Sequence, residues 1–204
     1  MILVLELIAT VAFAVSGAMV GISKKMDVFG VMILGTTASV GGGIIRDLIL
    51  GRTPPVAFVK PVYALTAIVT SLIIFLPAVR NFVEHHQKGY DGVMRLMDAI
   101  GLGAFTVVGA SAAYTCVPDA NVFLAIFTGA VTGVGGGALR DVLAGEVPYI
   151  FVKHFYACAS ILGAIAYCIL RGPAGNELAM ILGVAVVVVL RLLAAKYRWT
   201  LPRP

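Results

Sequence analysis

Gly41-Gly42-Gly43-Ile44-Ile45-Arg46-Asp47, followed by Gly51 and Pro54, returns later in the same chain as Gly135-Gly136-Gly137-Ala138-Leu139-Arg140-Asp141, followed by Gly145 and Pro148. Each fixed position recurs 94 residues on. In both copies three glycines, an arginine and an aspartate close a long apolar run. Ionisable groups inside such a run are costly in hydrocarbon and face protein or water when they occur. The doubled motif therefore decides how the rest of the chain is read.

The surrounding sequence is that of a helical membrane protein. Of 204 residues, 60% are hydrophobic and 12% charged, with a mean hydropathy of +1.02; a soluble domain is about a quarter charged. Seven apolar runs, at about 2–23, 28–50, 61–79, 95–116, 120–142, 154–170 and 177–195, are each read as a membrane-spanning helix. They are continuous rather than alternating, which excludes a β-barrel. No cleavable signal peptide is read at Met1-Ile2-Leu3-Val4-Leu5-Glu6, which lacks a basic start. Cys116, Cys158 and Cys168 show no metal-ligand spacing and read as small packing residues. The net charge of +5 comes without a basic cluster interleaved with aromatics, so no nucleic-acid partner is expected.

The spans divide into two repeats. Ala12-Phe13-Ala14-Val15-Ser16-Gly17-Ala18 in span 1 matches Ala104-Phe105-Thr106-Val107-Val108-Gly109-Ala110 in span 4, and the same offset of 92 pairs Glu6 with Asp98. Spans 2 and 5 carry the glycine motif. The expected organisation is one transmembrane domain over 1–204: repeat 1 at 1–79, a polar linker at 80–94, repeat 2 at 95–170 and an extra span at 177–195. Three spans per repeat is an odd number, so the second repeat is inverted, as in many transporters and channels. Grouping connectors by side puts eleven Lys and Arg on one face and only Arg46, Arg52, Lys60 and Arg171 on the other. The positive-inside rule makes the richer face cytoplasmic, with the N-terminus outside and the C-terminus inside. Trp199 in the tail suits a membrane interface.

Within the motif, Val28 to Val40 makes a helix of only about 20 Å, and three glycines in succession weaken it further. A kink or an unwound turn is expected there in spans 2 and 5, with backbone carbonyls and amides free to meet ions. If the helix continues instead, Gly42 shares a face with Arg46, and Ser39 and Gly43 share one with Asp47. In the second copy Thr132 and Gly136 share a face with Arg140, and Gly133 and Gly137 share one with Asp141. Inversion then leaves one charged pair at each end of a pathway between two crossed helices. The candidate gate and pore residues are Gly41, Gly42, Gly43, Arg46, Asp47, Gly135, Gly136, Gly137, Arg140 and Asp141. Further polar or constricting candidates are Glu6, Phe13, Ser16, Ser39, Asp98, Phe105, Thr106 and Thr132. The competing reading is that triple glycines only allow close packing while the charges pair or snorkel. His85 and His86 in the linker read as solvated. No phosphate loop, nucleophile elbow or catalytic carboxylate pair is present, so no enzyme is expected, nor any cofactor or bound metal.

Two copies of Gly-Gly-Gly-x-x-Arg-Asp in a seven-span chain of this length resemble the prokaryotic trimeric intracellular cation (TRIC) channel family, over residues 1 to about 195. Some members of that family are assigned glycine transport. The resemblance implies a homotrimer in membrane lipid, an hourglass pore in each protomer, kinks at Gly41–Gly43 and Gly135–Gly137, and permeation by K⁺ and Na⁺. It makes Arg46, Asp47, Arg140 and Asp141 the polar pore residues. The basic lipid-binding motif of the eukaryotic members has no clear counterpart here. Two mechanisms remain open at this point. A cation channel needs each arginine neutralised by a nearby aspartate. A transporter of glycine or a similar zwitterion would use Arg for the carboxylate and Asp for the ammonium group.

Overall fold

A computed structural model describes residues 1–79, 87–152, 155–197 and 199 of the chain. Residues 80–86 of the expected linker, with His85 and His86, lie outside the described residues. The elements are α1 (Ile2–Ser23), α2 (Val28–Ile49), α3 (Val56–Val59), α4 (Val62–Phe75), α5 (Gln87–Cys116), α6 (Val122–Leu143), α7 (Tyr149–Val152), α8 (Tyr156–Leu170) and α9 (Asn176–Tyr197). No strand occurs among the described residues.

Five of these helices are long and apolar enough to cross a membrane: α1, α2, residues 92–116 of α5, α6 and α9. The third and sixth expected spans are shorter helices of 14 and 15 residues. The apolar run from 61 to 79 is cut at Leu76, which precedes Pro77 and turns extended (φ −54°, ψ 140°). A residue before proline is pushed out of the α region, a signal that a hydropathy window does not register. The sixth begins after Phe155, which is left-handed at φ 68°. Conversely α5 starts at Gln87 rather than at 95, because helical hydrogen bonding does not stop where the apolar stretch does.

The repeat is visible down to its caps. Asp27 caps α2 by accepting from the Gly30 amide at 2.7 Å, and Asn121, 94 residues later, caps α6 by accepting from Leu124 at 2.8 Å. Both helices end in the same motif: Gly51 and Gly145 are left-handed (φ 69° and 70°). The amides of Arg52 and Glu146 reach back to the carbonyls of Asp47 and Asp141 at 2.7 and 2.9 Å. That pattern needs a residue without a Cβ penalty at positive φ, which explains both glycines. The chain then turns into a one-turn helix, α3 or α7. It starts at Pro55 in the first repeat and at Pro148 in the second, with Phe58 and Phe151 amides closing onto those proline carbonyls at 2.9 Å each. The structural partner of Pro148 is thus Pro55, not Pro54: the offset has slipped to 93.

In repeat 1, α1 packs on α2 and α4, and α2 on α4; in repeat 2, α5 packs on α6 and α8, and α6 on α8. The halves meet where α1 lies against α5 and α2 against α6, while α9 lies against α5 and α8 without a counterpart in repeat 1. The polarity is reversed relative to a water-soluble protein. Phe29, Phe58, Phe123 and Phe151 point outward, 64–75% exposed, whereas Arg46, Asp47, Asp98, Arg140 and Asp141 are buried. An apolar surface on this scale is stable only with lipid as its solvent.

Both α2 and α6 run as uninterrupted α-helix through their glycines, so the expected unwound turn is absent. The helix ladder satisfies its own backbone groups, which a break in hydrocarbon would leave without partners. The middle glycines have another task. A Cβ on Gly42 would lie 2.2 Å from the Thr132 carbonyl oxygen, and one on Gly136 would lie 2.0 Å from that of Ala38. The two helices cross backbone to backbone at these points, as small residues permit in membranes. Gly43 is different: its added Cβ would meet only Arg46 Nη2, at 3.9 Å. Gly42→Ala or Gly136→Ala should therefore cost about 2 kcal/mol or more through overpacking against rigid backbone, while Gly43→Ala stays near wild type. Thermal unfolding of the purified variants in one detergent checks this, and equal melting temperatures for G42A and G43A would remove the crossing argument.

Candidate functional site

The motif arginines and aspartates build two half-sites related by the repeat. In the first, Arg46 donates from Nε to Asp47 Oδ1 at 2.8 Å, with Nη2 also 2.8 Å from that oxygen. Asp47 Oδ2 accepts the Val56 amide of α3 at 2.8 Å. The second repeats it. Arg140 Nε donates to Asp141 Oδ1 at 2.9 Å, Nη2 lies 2.8 Å away, and Asp141 Oδ2 accepts the Tyr149 amide of α7 at 2.9 Å. Neighbouring residues on a helix do not face each other, but the long arginine stem curls back so that Nε donates to one carboxylate oxygen while Nη2 stands at ion-pair distance from the same oxygen. The other oxygen is left to hold the loop that follows the helix. Sequence adjacency of Arg and Asp is therefore a local device that neutralises the charge and pins the loop at once.

Each half-site recruits one more carboxylate from the first helix of its repeat. Glu6 Oε1 stands 4.0 Å from Arg46 Nη1, and Glu6 Oε2 accepts the Tyr63 hydroxyl. Asp98 Oδ1 accepts from Arg140 Nη1 at 3.1 Å and from the Tyr156 hydroxyl at 3.2 Å. Arg140 also donates to Ser16 across the repeat boundary. The sequence pairing of Glu6 with Asp98 is thus a pairing of positions that complete the two half-sites, and neither carboxylate snorkels to the surface.

The half-sites differ in closure and in charge. Arg140 is fully buried, its guanidinium 5.3 Å from the Tyr149 ring centre. Beside it Arg191 of α9 places Nη2 at 3.6 Å from Asp98 Oδ2 and its guanidinium 4.5 Å from the Tyr156 ring centre. Two guanidinium groups thus face two carboxylates. The first half-site has Arg46 alone against Glu6 and Asp47, and it opens into a small cleft of about 30 Å³ bounded by Thr10, Ser39, Gly43 and Phe105, roughly the share of one water. Between the half-sites Phe13 and Phe105 stack, ring centres 5.6 Å apart and 13° from parallel. Phe105 lines the first cleft, and a Cβ on Gly137 would meet the Tyr156 hydroxyl at 2.9 Å, with Arg140 Nη2 at 3.7 Å and Phe13 at 3.8 Å.

Other sequence candidates fall around this frame. Ser39 donates to the Thr10 carbonyl at 2.9 Å and borders the cleft. The Thr106 hydroxyl pairs with that of Ser160 at 2.6 Å, between α5 and α8 and away from both half-sites. Thr132 bonds back to the Thr128 carbonyl within α6. The tyrosines Tyr63 and Tyr156, the Tyr149 ring and Arg191 were not foreseen. A signal for the first two exists: Pro55, Phe58, Val59, Lys60 and Tyr63 recur as Pro148, Phe151, Val152, Lys153 and Tyr156 at an offset of 93. Arg191 lies outside the repeat and had no such signal.

An all-helical interior of paired charges inside a lipid-facing apolar shell, built twice from one pattern, defines an integral multi-pass membrane protein. Residues 3–78 and 95–172 match the family model described as Glycine transporter, the two segments being the two repeats. The chain is 35% identical over 202 residues to the UPF0126 inner membrane protein YadS of Escherichia coli K12, covering 97% of this chain and 93% of that one. Among solved structures it resembles a TRIC cation channel at 40% identity and TM-score 0.85, covering 98% of this chain and 96% of the other. It also resembles the TRIC trimeric intracellular cation channel orthologue from Rhodobacter sphaeroides at 35% identity and TM-score 0.87, covering 97% and 98%. The chain belongs to this family, in which the glycine-transporter sequence model and the TRIC channel structures coincide.

Burial sets the cost of breaking each pair. Arg140→Ala would leave Asp98 and Asp141 with only Arg191 in a closed site, and breaking a buried pair on one side costs about 3–5 kcal/mol. Arg46→Ala, next to a cleft that admits water, should cost markedly less. Melting temperatures of the two variants in the same detergent check this, and an equal or larger loss for R46A would contradict the burial asymmetry.

Proposed function

We propose that the protein is a homotrimeric channel for monovalent cations, K⁺ and Na⁺, with one pore in each protomer lined by α2 and α6. The observation that carries this reading is that each motif arginine is neutralised by its own aspartate. An unpaired guanidinium in a narrow pore repels cations, and a ring of carboxylates attracts them. Here the first half-site retains one carboxylate in excess, beside a cleft large enough for a water molecule, which favours a cation. The half-sites stand at the two ends of the α2–α6 crossing, with the stacked Phe13 and Phe105 between them as the constriction and the Arg–Asp pairs as the gates. The glycine turns are the places where α2 and α6 bend when the path opens. The names of the solved relatives, TRIC cation channels, support the same reading.

In the membrane the chain makes seven crossings, α4 and α8 being the two short ones. Residues 1–79 and 95–170 are the inverted repeats, 80–94 the connection between them, and 177–195 the added span. The N-terminus is outside and the C-terminus cytoplasmic. A glycine-like substrate is less well supported. It would need a free guanidinium for its carboxylate and a free carboxylate for its ammonium group, whereas Asp47 and Asp141 each use one oxygen for arginine and the other for a loop amide.

Purified protein in a planar bilayer under a KCl gradient should give discrete current steps that reverse on the cation side. Arg46→Gln, which removes the one positive charge of the open half-site, should change the unitary current by about twofold or more at low salt. Silence from folded, inserted protein together with saturable glycine uptake into liposomes would replace the channel by a transporter. Unchanged flux in R46Q would show that the path runs elsewhere.

A further inference from the structure

The helix that stands outside the repeat makes the two ends of the molecule electrically different. In α9, Val187 is fully buried, against the positions where Gly163 of α8 and Gly103 of α5 leave room: Cβ atoms there would lie 2.1 Å from Val187 Cγ2 and 3.4 Å from its Cβ. That wedge fixes the next turn of α9, which carries Arg191. Arg191 is 7% exposed and its side chain points at Asp98 Oδ2, an oxygen for which no hydrogen-bond donor is found; Arg191 Nε is likewise without an acceptor. The contact, at 3.6 Å, is an ion pair rather than a hydrogen bond. Its main effect is charge compensation.

At the matching place in repeat 1 no second cation is found among the described residues. Glu6 takes the Tyr63 hydroxyl as Asp98 takes that of Tyr156, but its ionic partner is Arg46 alone. Arg52, the other basic residue at this end of α2, is exposed and its charge is screened by solvent. Buried charge therefore sums to zero around Arg140 and to minus one around Arg46, although the two half-sites descend from one pattern.

We infer that Arg191 is a built-in counter-ion for Asp98 that suppresses one of two otherwise equivalent cation-attracting mouths, so that the pathway passes current unequally in its two directions. The inference rests on the channel reading. A fixed negative charge at a low-dielectric mouth concentrates cations there, and a mouth whose charge is cancelled does not. Cations entering from the Glu6 side therefore start from a higher local concentration than those entering from the Asp98 side. Arg191 is a specificity-determining residue in this scheme and makes no contact with the other half-site.

The test is the ratio of single-channel currents at equal positive and negative voltages in symmetrical KCl. In wild type this ratio should depart from one by about twofold or more at low salt, shrinking as salt screens the mouth. Arg191→Gln should bring it close to one by uncovering Asp98. Arg191→Lys should keep the wild-type ratio, and R191Q combined with D98N should restore it, since both leave that end neutral. A purely structural role for Arg191 predicts the reverse order: the doubly substituted protein would be no better than R191Q. If R191Q does not fold, Glu6→Gln decides the matter, because neutralising the open end must also bring the ratio to one. Wild-type current whose ratio is the same in R191Q, or in E6Q, overturns the inference alone. Absence of current from folded wild-type protein overturns the channel reading and this inference with it.

Discussion

The structure depends on one arrangement: an arginine and the aspartate beside it, buried together and paired through a single carboxylate oxygen. An isolated ion at this depth would cost several kcal/mol even after relaxation. The pair is tolerable because the opposite charges lie in direct contact, and because the second oxygen of the aspartate is spent on the amide of the returning loop. Remove the loop amide and the carboxylate is under-satisfied; remove the arginine and a bare charge is left. The short helices α3 and α7 are therefore part of the ionic site and not merely connectors. The left-handed glycines at 51 and 145 serve it too, by ending α2 and α6 at the point from which the chain can reach back.

The second constraint is steric. The charged pairs lie one turn beyond Gly42 and Gly136, where α2 and α6 touch backbone to backbone. Had either glycine carried a side chain, it would have met the backbone of the other helix and held the two apart. Close crossing and charge burial are thus coupled through a single turn of helix. This also explains why the motif places its glycines before its charges at a fixed distance, in both copies. The expectation of an unwound turn failed because the glycines act between helices rather than within one. In lipid an intact ladder of backbone hydrogen bonds is worth keeping, and the crossing demands only small residues.

Much of the fold was legible because a repeat within one chain is its own alignment. Matching Glu6 with Asp98 and the two glycine motifs located the helices that meet at the centre and the carboxylates that complete the half-sites. What escaped did so for identifiable reasons. Tyr63 and Tyr156 follow a slip of the offset from 94 to 93 between Gly145 and Pro148, so a fixed spacing walked past them. The pairing of Pro54 with Pro148 was the same error, and the three-dimensional position of Pro55 corrects it. The short α4 was hidden by Pro77, which interrupts an apolar run without lowering its hydropathy. Arg191 had no internal copy to be compared with, and nothing in its local sequence says that one face of α9 meets Asp98.

That last omission carries the wider argument. A perfectly repeated protein would present the same ionic half-site at both membrane faces, inverted, and its two ends would be interchangeable. The added helix breaks this equivalence with a single guanidinium. It does so where the repeat already provides a surplus carboxylate, so the added charge lowers the cost of burial instead of raising it. Buried ion pairs are seldom a source of stability relative to apolar packing. Their presence in two copies, one open to a cleft and one sealed by α9, therefore sets the electric field at the two ends apart without serving the stability of the helices that carry them.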